Sequence, residues 1–251
     1  MTNKSFIGLD VGNSAIKVGL FQTENDKFFY IDKNNLLNFQ IDISNYDFCL
    51  VSSVNDLNYG IFKKNCFYTF QGKIFSIDHT FPFSFEIKIE HPEKIGADRL
   101  CLIEGSLYFA RLKKLSFDYL ISIDFGTATT INVLNQKKEF IGGLIMPGLK
   151  TMIKSLHTDT AKLPDISLDN YDGIIGNETK KAIASGALNS TLGAIERTIN
   201  YLKKSFNANH LLIFATGGNY KSIMNFLEFD KIIYYENLNL YGIKSLAEKI
   251  L

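Results

Sequence analysis

The chain has 251 residues, enough for two small domains or one large one. Apolar residues make up 46% of it and charged residues 21%, a globular composition that excludes wholesale disorder. Its 27 Lys and Arg residues against 26 Asp and Glu give a net charge of +1, without the basic excess typical of proteins that bind duplex nucleic acid.

Charge and cysteine patterns favour a cytoplasmic protein with no membrane partner. The longest uncharged stretch, residues 205–220, is 16 residues long and contains polar side chains, whereas a membrane span needs roughly 20 apolar residues. Residues 1–5 lead into a strand without the apolar core of a signal peptide. The three cysteines, Cys49, Cys66 and Cys101, have neither a metal-like spacing nor the number typical of a disulfide scaffold.

The first half of the chain carries strand signals followed by one helical stretch. Strands are predicted at residues 6–10, 16–21, 28–31 and 48–52. A helix is predicted from about residue 98 to residue 113. The boundary with the second half is placed near residues 112–118, although no Gly-, Ser- or Pro-rich linker marks it.

The second half repeats the mixture of strands and helices. Strands are predicted near residues 119–124, 130–135, 140–144 and 211–215, and a long helix from about residue 178 to residue 206. The helix has an apolar stripe at intervals of three and four residues: Ala184, Leu188, Leu192, Ile195, Ile199 and Leu202. Gly186, inside this helix, is predicted to permit close helix packing. Strands mixed with helices make the chain an α/β protein.

One pattern occurs twice. Residues 6–21 and residues 120–134 are each an apolar strand that ends in Asp-apolar-Gly, continues through small polar residues and enters a second apolar strand. This pattern is typical of a β-hairpin with a polar tip. The two copies are offset by 114 residues, so that Asp10 corresponds to Asp124. We therefore predict two related domains, residues 1–114 and 115–251, with a cleft between them.

The two hairpin tips suggest phosphate binding. A turn through Gly exposes backbone N–H groups that can cradle an anion. Asp10 and Asp124 would repel a phosphate unless a cation lay between them, and Mg²⁺ commonly takes one or two carboxylates together with phosphate oxygens. Lys17 adds a positive charge near the first tip. The alternative is that both aspartates only cap their turns through local hydrogen bonds.

A glycine pair follows the last predicted strand. The segment Thr216-Gly217-Gly218-Asn219 is a candidate for nucleotide contact, because a turn without side chains can lie flat against a base or ribose. The alternative is a plain turn. The phosphate motifs G-x-x-x-x-G-K-[ST] and G-x-G-x-x-G are absent from the sequence, which excludes a Walker-type ATPase and a Rossmann dehydrogenase.

The tetrapeptide Gly96-Ala97-Asp98-Arg99 precedes the first predicted helix. Asp98 has two interpretations: it caps the helix, or it deprotonates a hydroxyl group while Arg99 pairs with an anionic substrate group. Phosphoryl transfer asks mainly for positioning, charge neutralisation and one carboxylate to receive the hydroxyl proton. The residues therefore suit a kinase that acts on a small molecule.

With these motifs, the chain resembles the type III pantothenate kinases of the actin-like, RNase H-related superfamily. The resemblance covers nearly the whole chain and lies in six segments: residues 10–17, 95–99, 124–129, 142–148, 160–164 and 175–179. It implies a fold of two duplicated RNase H-like (actin-like ATPase) domains, with ATP and pantothenate in the cleft. It also implies a bacterial, cytoplasmic homodimer whose substrate site is completed at the dimer interface.

The resemblance also implies roles for individual residues in the phosphorylation of pantothenate, the first step of coenzyme A biosynthesis. The first phosphate loop, which binds ATP, would consist of Asp10, Val11, Gly12, Asn13, Ser14, Ala15, Ile16 and Lys17. Asp10 would act on the Mg²⁺–phosphate assembly and Thr127 would contact ATP. Asp124 would bind a monovalent cation, K⁺ or NH₄⁺.

On the acceptor side, the resemblance implies that Gly96, Ala97, Asp98, Arg99 and Thr179 contact pantothenate. Asp98 would be the general base for its primary hydroxyl group. Arg99 would lie near its carboxylate.

The sequence departs from the family pattern in two places. Ile89 stands where the family usually has a substrate-contacting Tyr, and either Phe83 or Phe85 replaces that contact or the contact is lost. Ser14 stands where Thr is usual and keeps the hydroxyl group. Two other functions stay open: a non-catalytic accessory regulator, and a kinase for another small hydroxy acid or sugar. Residues 22–90 carry no motif that we can assign.

Overall fold

The computed structural model describes residues 5–22, 26–227 and 232–250, so residues 1–4 of the N-terminal segment in which no signal-peptide core was expected lie outside the described residues. The chain divides into two compact units. The first contains residues up to Leu115, Lys138–Phe140 and the chain from Asn237 onward, and the second contains Ser116–Lys137 and Ile141–Glu236. The C-terminal segment thus clusters with the first half of the chain, whereas the domain division predicted at residue 114 grouped it with the second.

A five-stranded sheet forms the centre of the first unit, in the order β3-β2-β1-β4-β5. The strands are β1 (Phe6–Val11), β2 (Ala15–Phe21), β3 (Lys27–Asp32), β4 (Phe48–Ser53) and β5 (Lys73–Ser76). Neighbours among the first three strands are antiparallel, and β4 and β5 run parallel to β1. The four strands predicted in this half are confirmed, with ends that differ by one residue at most.

Three helices belong to the first unit: α1 (Asp56–Cys66), α2 (Ala97–Leu112) and α6 (Leu238–Ile250). Two glycines let the backbones of α2 and α6 approach each other. A side chain at Gly105 would overlap the carbonyl oxygen of Leu238, and one at Gly242 would overlap that of Cys101. This close contact fixes the start of α6 against the helix that begins with the Gly-Ala-Asp-Arg tetrapeptide.

The second unit contains most of a six-stranded sheet, in the order β11-β10-β7-β8-β9-β6. The strands are β6 (Glu86–Ile87), β7 (Tyr119–Phe125), β8 (Ala128–Asn135), β9 (Glu139–Pro147), β10 (Leu211–Thr216) and β11 (Ile232–Tyr234). β6 pairs only with Glu139 and Phe140 at the start of β9, and these residues all cluster with the first unit. The helices are α3 (Leu149–Asp159), α4 (Thr179–Phe206) and the short α5 (Tyr220–Ile223).

The long helix α4 confirms the predicted stripe and corrects the prediction for Gly186. Five of the six stripe positions are buried, four of them in the core of this unit, and Leu192 is partly buried against that core. A side chain at Gly186 would meet nothing within 4 Å. The prediction that Gly186 permits close packing is therefore wrong; Gly105 and Gly242 have that role.

Both predicted hairpins are present. In β1 and β2, Asp10 pairs with Lys17 across the antiparallel ladder, and in β7 and β8, Asp124 pairs with Thr130. The α/β class is likewise confirmed. The three cysteines are free and buried. Within the described ranges, no helix combines the length and the apolar character needed to cross a membrane.

Candidate active site

The first hairpin tip is held by backbone and asparagine contacts. The Gly12 N–H donates to the carbonyl oxygen of Ala15 at 2.9 Å and closes the turn. Asn58 in α1 donates to the carbonyl oxygen of Gly12 at 2.8 Å, and Asn55 donates to the side-chain oxygen of Asn13 at 3.0 Å. The tip is thus anchored from below, while Asn13 and the following Ser14 stay exposed.

The remaining residues of the predicted phosphate loop differ in how deeply they are buried. Val11 and Ile16 are buried on either side of the turn and fix its ends in the sheet. Ala15 and Lys17 are partly buried. The loop therefore joins two buried strand ends through an exposed polar turn. The backbone N–H groups of such a turn can bind an anion.

Asp10 lies at the end of β1 and is only 8% exposed. Its Oδ2 accepts a hydrogen bond of 3.2 Å from the Nδ2 group of Asn239, the second residue of α6. In the parallel ladder, Asp10 pairs with Ser52 of β4. The alternative that Asp10 only caps its own turn is therefore wrong, since it bonds a side chain 229 residues further along the chain.

The Gly-Ala-Asp-Arg tetrapeptide begins α2 beside the ends of β1 and β4. Gly96 is the N-cap residue, so the alternative that Asp98 caps the helix is wrong. A Cβ atom on Gly96 would lie 3.4 Å from Val54, whose N–H donates to the carbonyl oxygen of Val11. The tetrapeptide and the first hairpin tip thus lie at the same end of the first unit's sheet.

Cys101, one helical turn after Asp98, is fully buried beneath this end of the sheet. Burial raises the pKa of its thiol well above the usual range, and the negative charges of Asp10 and Asp98 raise it further. Both carboxylates are therefore near the same thiol.

Asp98 is partly buried at the start of α2. Burial raises the pKa of its carboxyl group, while the Arg99 N–H, which donates to Oδ1 at 2.8 Å, and the Arg99 charge oppose that rise. The carboxylate is more basic than that of an exposed aspartate. A partly desolvated carboxylate with a raised pKa is suited to accept a proton from a hydroxyl group.

Arg99 lies next to a cluster of phenylalanine rings. Its guanidinium carbon is 5.4 Å from the ring centroid of Phe140, which is fully buried. Phe85 packs edge-on against Phe140, and Phe83 lies 5.1 Å from Phe85 between ring centroids. Burial lowers the pKa of Arg99. Phe83 and Phe85, the suggested replacements for a Tyr at position 89, thus connect to Arg99 through Phe140.

The second hairpin tip is closely packed by glycines. The N–H of Gly126 donates to the carbonyl oxygen of Ala128 at 3.2 Å, and the N–H of Gly148 donates to that of Thr127 at 2.9 Å. A side chain at Gly148 would overlap the carbonyl oxygen of Gly126. Thr127 itself is exposed at the crest of this tip.

The glycine pair after β10 lies against the second tip. Gly217 has a φ of 101°, and a side chain there would overlap the carboxylate of Asp124. The side-chain amide of Asn219 donates to the carbonyl oxygen of Gly126 at 2.9 Å. The candidate nucleotide segment at residues 216–219 and the second Asp-x-Gly tip therefore converge within the second unit.

Thr179 is the exposed first residue of α4 and belongs to the second unit. It lines a groove of about 630 Å³ between α3 and α4, together with Met152 and Leu156. The other four predicted pantothenate contacts, Gly96, Ala97, Asp98 and Arg99, belong to the first unit.

The donors beside the first tip fit a hard cation. Among the described residues, no group of three or more His, Cys, Asp or Glu side chains could hold a metal ion by itself. Asp10 lies beside Asn239, whose Oδ1 is buried without a hydrogen-bond partner, so one carboxylate and one amide oxygen occur together. Mg²⁺ keeps several waters and needs only one or two carboxylates besides phosphate oxygens.

Sequence reasoning missed several residues that build the site. Asn239, Asn58 and Phe140 were not singled out, although they contact Asp10, the first tip and Arg99. Phe140 follows Lys137, Lys138 and Glu139, and Asn239 follows Asn237 and Leu238, and neither local sequence indicates the distant partner. Gly148 lies in a segment that resembles the family, but its packing against Gly126 depends on the tertiary fold.

Comparisons with known proteins identify relatives along the whole chain. A sequence model of the family described as type III pantothenate kinase matches residues 6–201. The type III pantothenate kinase of Thermosipho melanesiensis is 33% identical over 256 aligned positions, which cover 96% of this chain and 97% of that protein. The corresponding protein of Methylacidiphilum infernorum is 30% identical and covers 96% and 87%.

Solved structures share the fold at lower identity. A Campylobacter jejuni protein assigned to the Baf family of transcriptional activators superposes with a TM-score of 0.60 at 19% identity, covering 97% of this chain and 98% of that chain. A non-polymerisable pCBH ParM mutant gives a TM-score of 0.53 at 14% identity, covering 98% and 100%. These likenesses show the fold alone, and they agree with the predicted actin-like architecture.

Proposed function

Because this chain belongs to the type III pantothenate kinase family, we propose that it transfers the γ-phosphoryl group of ATP to the primary hydroxyl group of pantothenate. The products are ADP and phosphopantothenate, in the first step of coenzyme A biosynthesis.

The placement of Asp98 is the observation that carries this proposal. Asp98 lies beside Arg99, at the end of the sheet where β1 carries Asp10. Burial raises the pKa of the Asp98 carboxyl group. The pantothenate hydroxyl oxygen attacks the γ-phosphorus of ATP, and the bond between that phosphorus and the β,γ-bridging oxygen breaks. Asp98 accepts the hydroxyl proton, and ADP leaves with the bridging oxygen.

Arg99 binds the acceptor. Its guanidinium group pairs with the pantothenate carboxylate, since guanidinium groups recognise carboxylates through paired hydrogen bonds. The Phe140 ring supports the guanidinium group from behind and limits its rotation. Gly96 and Ala97 place the backbone next to the substrate, and Thr179 supplies a hydroxyl contact from α4.

The first phosphate loop binds the triphosphate. Its crest at Asn13 and Ser14 is exposed, while Val11 and Ile16 anchor it in the sheet. Lys17 contributes positive charge beside Asp10. Asp10 would hold Mg²⁺, which would neutralise charge on the phosphate oxygens.

The second hairpin tip contacts ATP and a monovalent cation. Thr127 contacts ATP from the exposed crest of the tip. Asp124 would hold a monovalent cation, K⁺ or NH₄⁺, and Gly217 lies so close to its carboxylate that a side chain at Gly217 would overlap it. The protein acts as a cytoplasmic homodimer in this proposal, as the resemblance to its family implies, and binds no nucleic acid or membrane.

The direct test measures both products with the purified full chain. With Mg²⁺-ATP, KCl and pantothenate, we expect ADP release that depends on pantothenate and a matching amount of phosphopantothenate by mass spectrometry. Asp98→Asn lowers kcat by about 10²- to 10⁴-fold, because it removes the general base. Asp118 is a partly exposed aspartate of the second unit, and Asp118→Asn keeps the activity of the unchanged protein. ATP hydrolysis that is independent of pantothenate, or full activity of Asp98→Asn, contradicts the proposal.

Ile89 supports a second candidate, phosphorylation of another small hydroxy acid or sugar. It is partly buried and lacks the hydroxyl group of the Tyr that is usual there. A panel of acceptors in the same assay separates the two, and a higher kcat/KM for a compound other than pantothenate would favour this candidate.

Replacing KCl by NH₄Cl or NaCl in parallel identifies the monovalent ion. A gel shift with duplex DNA at about 150 mM salt tests the accessory-regulator alternative, and we expect no retained DNA.

A further inference from the structure

Asn239 is a buried amide that the proposed reaction does not yet use. It is 2% exposed, and its Nδ2 group donates to Asp10 Oδ2 at 3.2 Å. Its Oδ1 atom is buried with no hydrogen-bond partner in the described structure. Both atoms belong to the first unit, so the contact lies within one compact body.

Packing alone does not account for an amide at this position. The neighbouring residues Leu238 and Leu240 are fully buried, and most of the buried face of α6 is apolar. An orphaned amide oxygen in such surroundings costs free energy that an apolar side chain of similar size would avoid. Buried polar groups that the fold does not need are typical of functional sites, where stability is given up for activity.

The backbone around Asn239 is rigidly placed. The carbonyl oxygen of Leu238 lies so close to Gly105 of α2 that a side chain at Gly105 would overlap it. The same helix α2 begins with the residues around Asp98. The α2–α6 contact therefore holds Asn239 in a fixed place relative to both Asp98 and β1.

The hydrogen bond from Asn239 can control the orientation of Asp10. The terminal torsion of an aspartate is soft, so each fixed donor restricts the orientations that its carboxylate can take. Carboxylates that bind metals are commonly held by hydrogen bonds, and loss of such a partner typically costs about 10- to 100-fold in metal affinity or activity. The same reasoning applies to Asp10 as the residue proposed to hold Mg²⁺.

We propose that Asn239 is a positioning residue, which orients the Asp10 carboxylate for the Mg²⁺-nucleotide complex and offers its unpaired Oδ1 to a water that accompanies the ion. This inference rests on the role of Asp10 in the proposed function. It does not depend on which alcohol accepts the phosphate.

The experiment separates orientation of Asp10 from general damage to the fold. Asn239→Leu removes both polar atoms at similar volume, and Ser245→Ala is the matched control: Ser245 is another buried polar residue of α6, but it donates to Glu104. For each full-length variant, calorimetry measures the dissociation constant of a non-hydrolysable ATP analogue, once with Mg²⁺ and once with EDTA. Thermal unfolding and steady-state kinetics complete the set.

For Asn239→Leu we expect the dissociation constant with Mg²⁺ to rise about tenfold and that in EDTA to change less than twofold. We expect kcat to fall about 10- to 100-fold with little change in the KM for pantothenate. Ser245→Ala has a lower unfolding temperature and unchanged nucleotide binding. Equal losses of affinity with and without Mg²⁺, or unchanged binding in Asn239→Leu, overturn the proposal.

Two further outcomes are distinguishable. If Asn239→Leu does not fold, Asn239→Ser keeps a small polar group, and a loss of affinity confined to the Mg²⁺ experiment supports the proposal, whereas no such loss overturns it. If the unchanged protein fails to phosphorylate pantothenate but shows the Mg²⁺-specific difference, the proposed acceptor is wrong and the role of Asn239 stands.

Discussion

The buried carboxylate of Glu104 in α2 accepts a hydrogen bond of 2.7 Å from the ammonium group of Lys249 near the end of α6. Glu104 is fully buried, and it also accepts from the backbone and hydroxyl groups of Ser84 and from the hydroxyl of Ser245. The network joins the two helices that carry Asp98 and Asn239. It lies within the first unit.

Removal of the charge partner of Glu104 destabilises the first unit. Lys249→Met leaves a buried carboxylate without its cation, and we expect the free energy of unfolding to fall by about 2–3 kcal/mol, since Lys249 is partly exposed. Lys88→Met is the control, because its ion pair with Glu86 is exposed and screened by water, so we expect a much smaller loss. Chemical denaturation measures both, and equal losses would show that the buried network contributes nothing beyond a surface pair.

Asp98 and Asp118 have opposite effects on the pH dependence of stability. Burial raises the pKa of Asp98, so its ionisation costs stability above that raised pKa and costs nothing below the pKa of the unfolded chain. Hydrogen bonds from the N–H groups of His210 and Asn209 lower the pKa of Asp118, so it adds stability at neutral pH that is lost as the pH falls through its lowered pKa.

We therefore expect Asp98→Asn to raise the unfolding temperature at pH 7.5 and Asp118→Asn to lower it, with both differences shrinking as the pH is lowered. Thermal unfolding between about pH 4 and pH 7.5 measures them. A lower unfolding temperature for Asp98→Asn at pH 7.5 would contradict the assigned effect of burial. In the same buffers, we expect kcat of the unchanged protein to fall at acidic pH, with a midpoint at a higher pH than an exposed aspartate would give.

The aromatic support of Arg99 predicts an effect on the acceptor alone. Phe140→Leu removes the ring from under the guanidinium group, and we expect the KM for pantothenate to rise about three- to tenfold with a small change in kcat. Phe214→Leu is the matched control, because Phe214 is equally buried but packs on Tyr235 in the second unit. Both variants lose similar stability. An equal rise in KM for both would assign the effect to the fold.

We expect substitution by alanine to affect the stability of the protein differently at the two adjacent glycines after β10. Gly217→Ala meets a φ of 101° and the Asp124 carboxylate, so we expect the free energy of unfolding to fall by about 1–3 kcal/mol. A side chain at Gly218 would meet nothing within 4 Å, so Gly218→Ala changes the stability by less than about 0.5 kcal/mol. Urea denaturation of both variants is the measurement, and equal stability would refute the strain assigned to Gly217.

Much of the sheet framework was predictable from local pattern. The alternation of apolar residues and the Asp-x-Gly turns placed both hairpins, and the spacing of apolar residues placed α2 and α4 within about one residue at each end. These features depend on neighbours in the chain, which a single sequence contains. The helices α1, α3 and α6 were not predicted, because their apolar spacing is weak or their segments carried no recognised motif.

The sequence by itself determined the α/β class, the paired acidic tips and the Asp98-Arg99 pair, because each is written in adjacent residues. Only the tertiary structure decided which of them meet: it brought Asn239 to Asp10 and Phe140 to Arg99, and it moved the role of close packing from Gly186 to Gly105 and Gly242. The physical reason is that hydrogen bonds and steric contacts depend on distance in space. Asp10 and Asn239 are 229 residues apart in the chain, and no local pattern records that they touch.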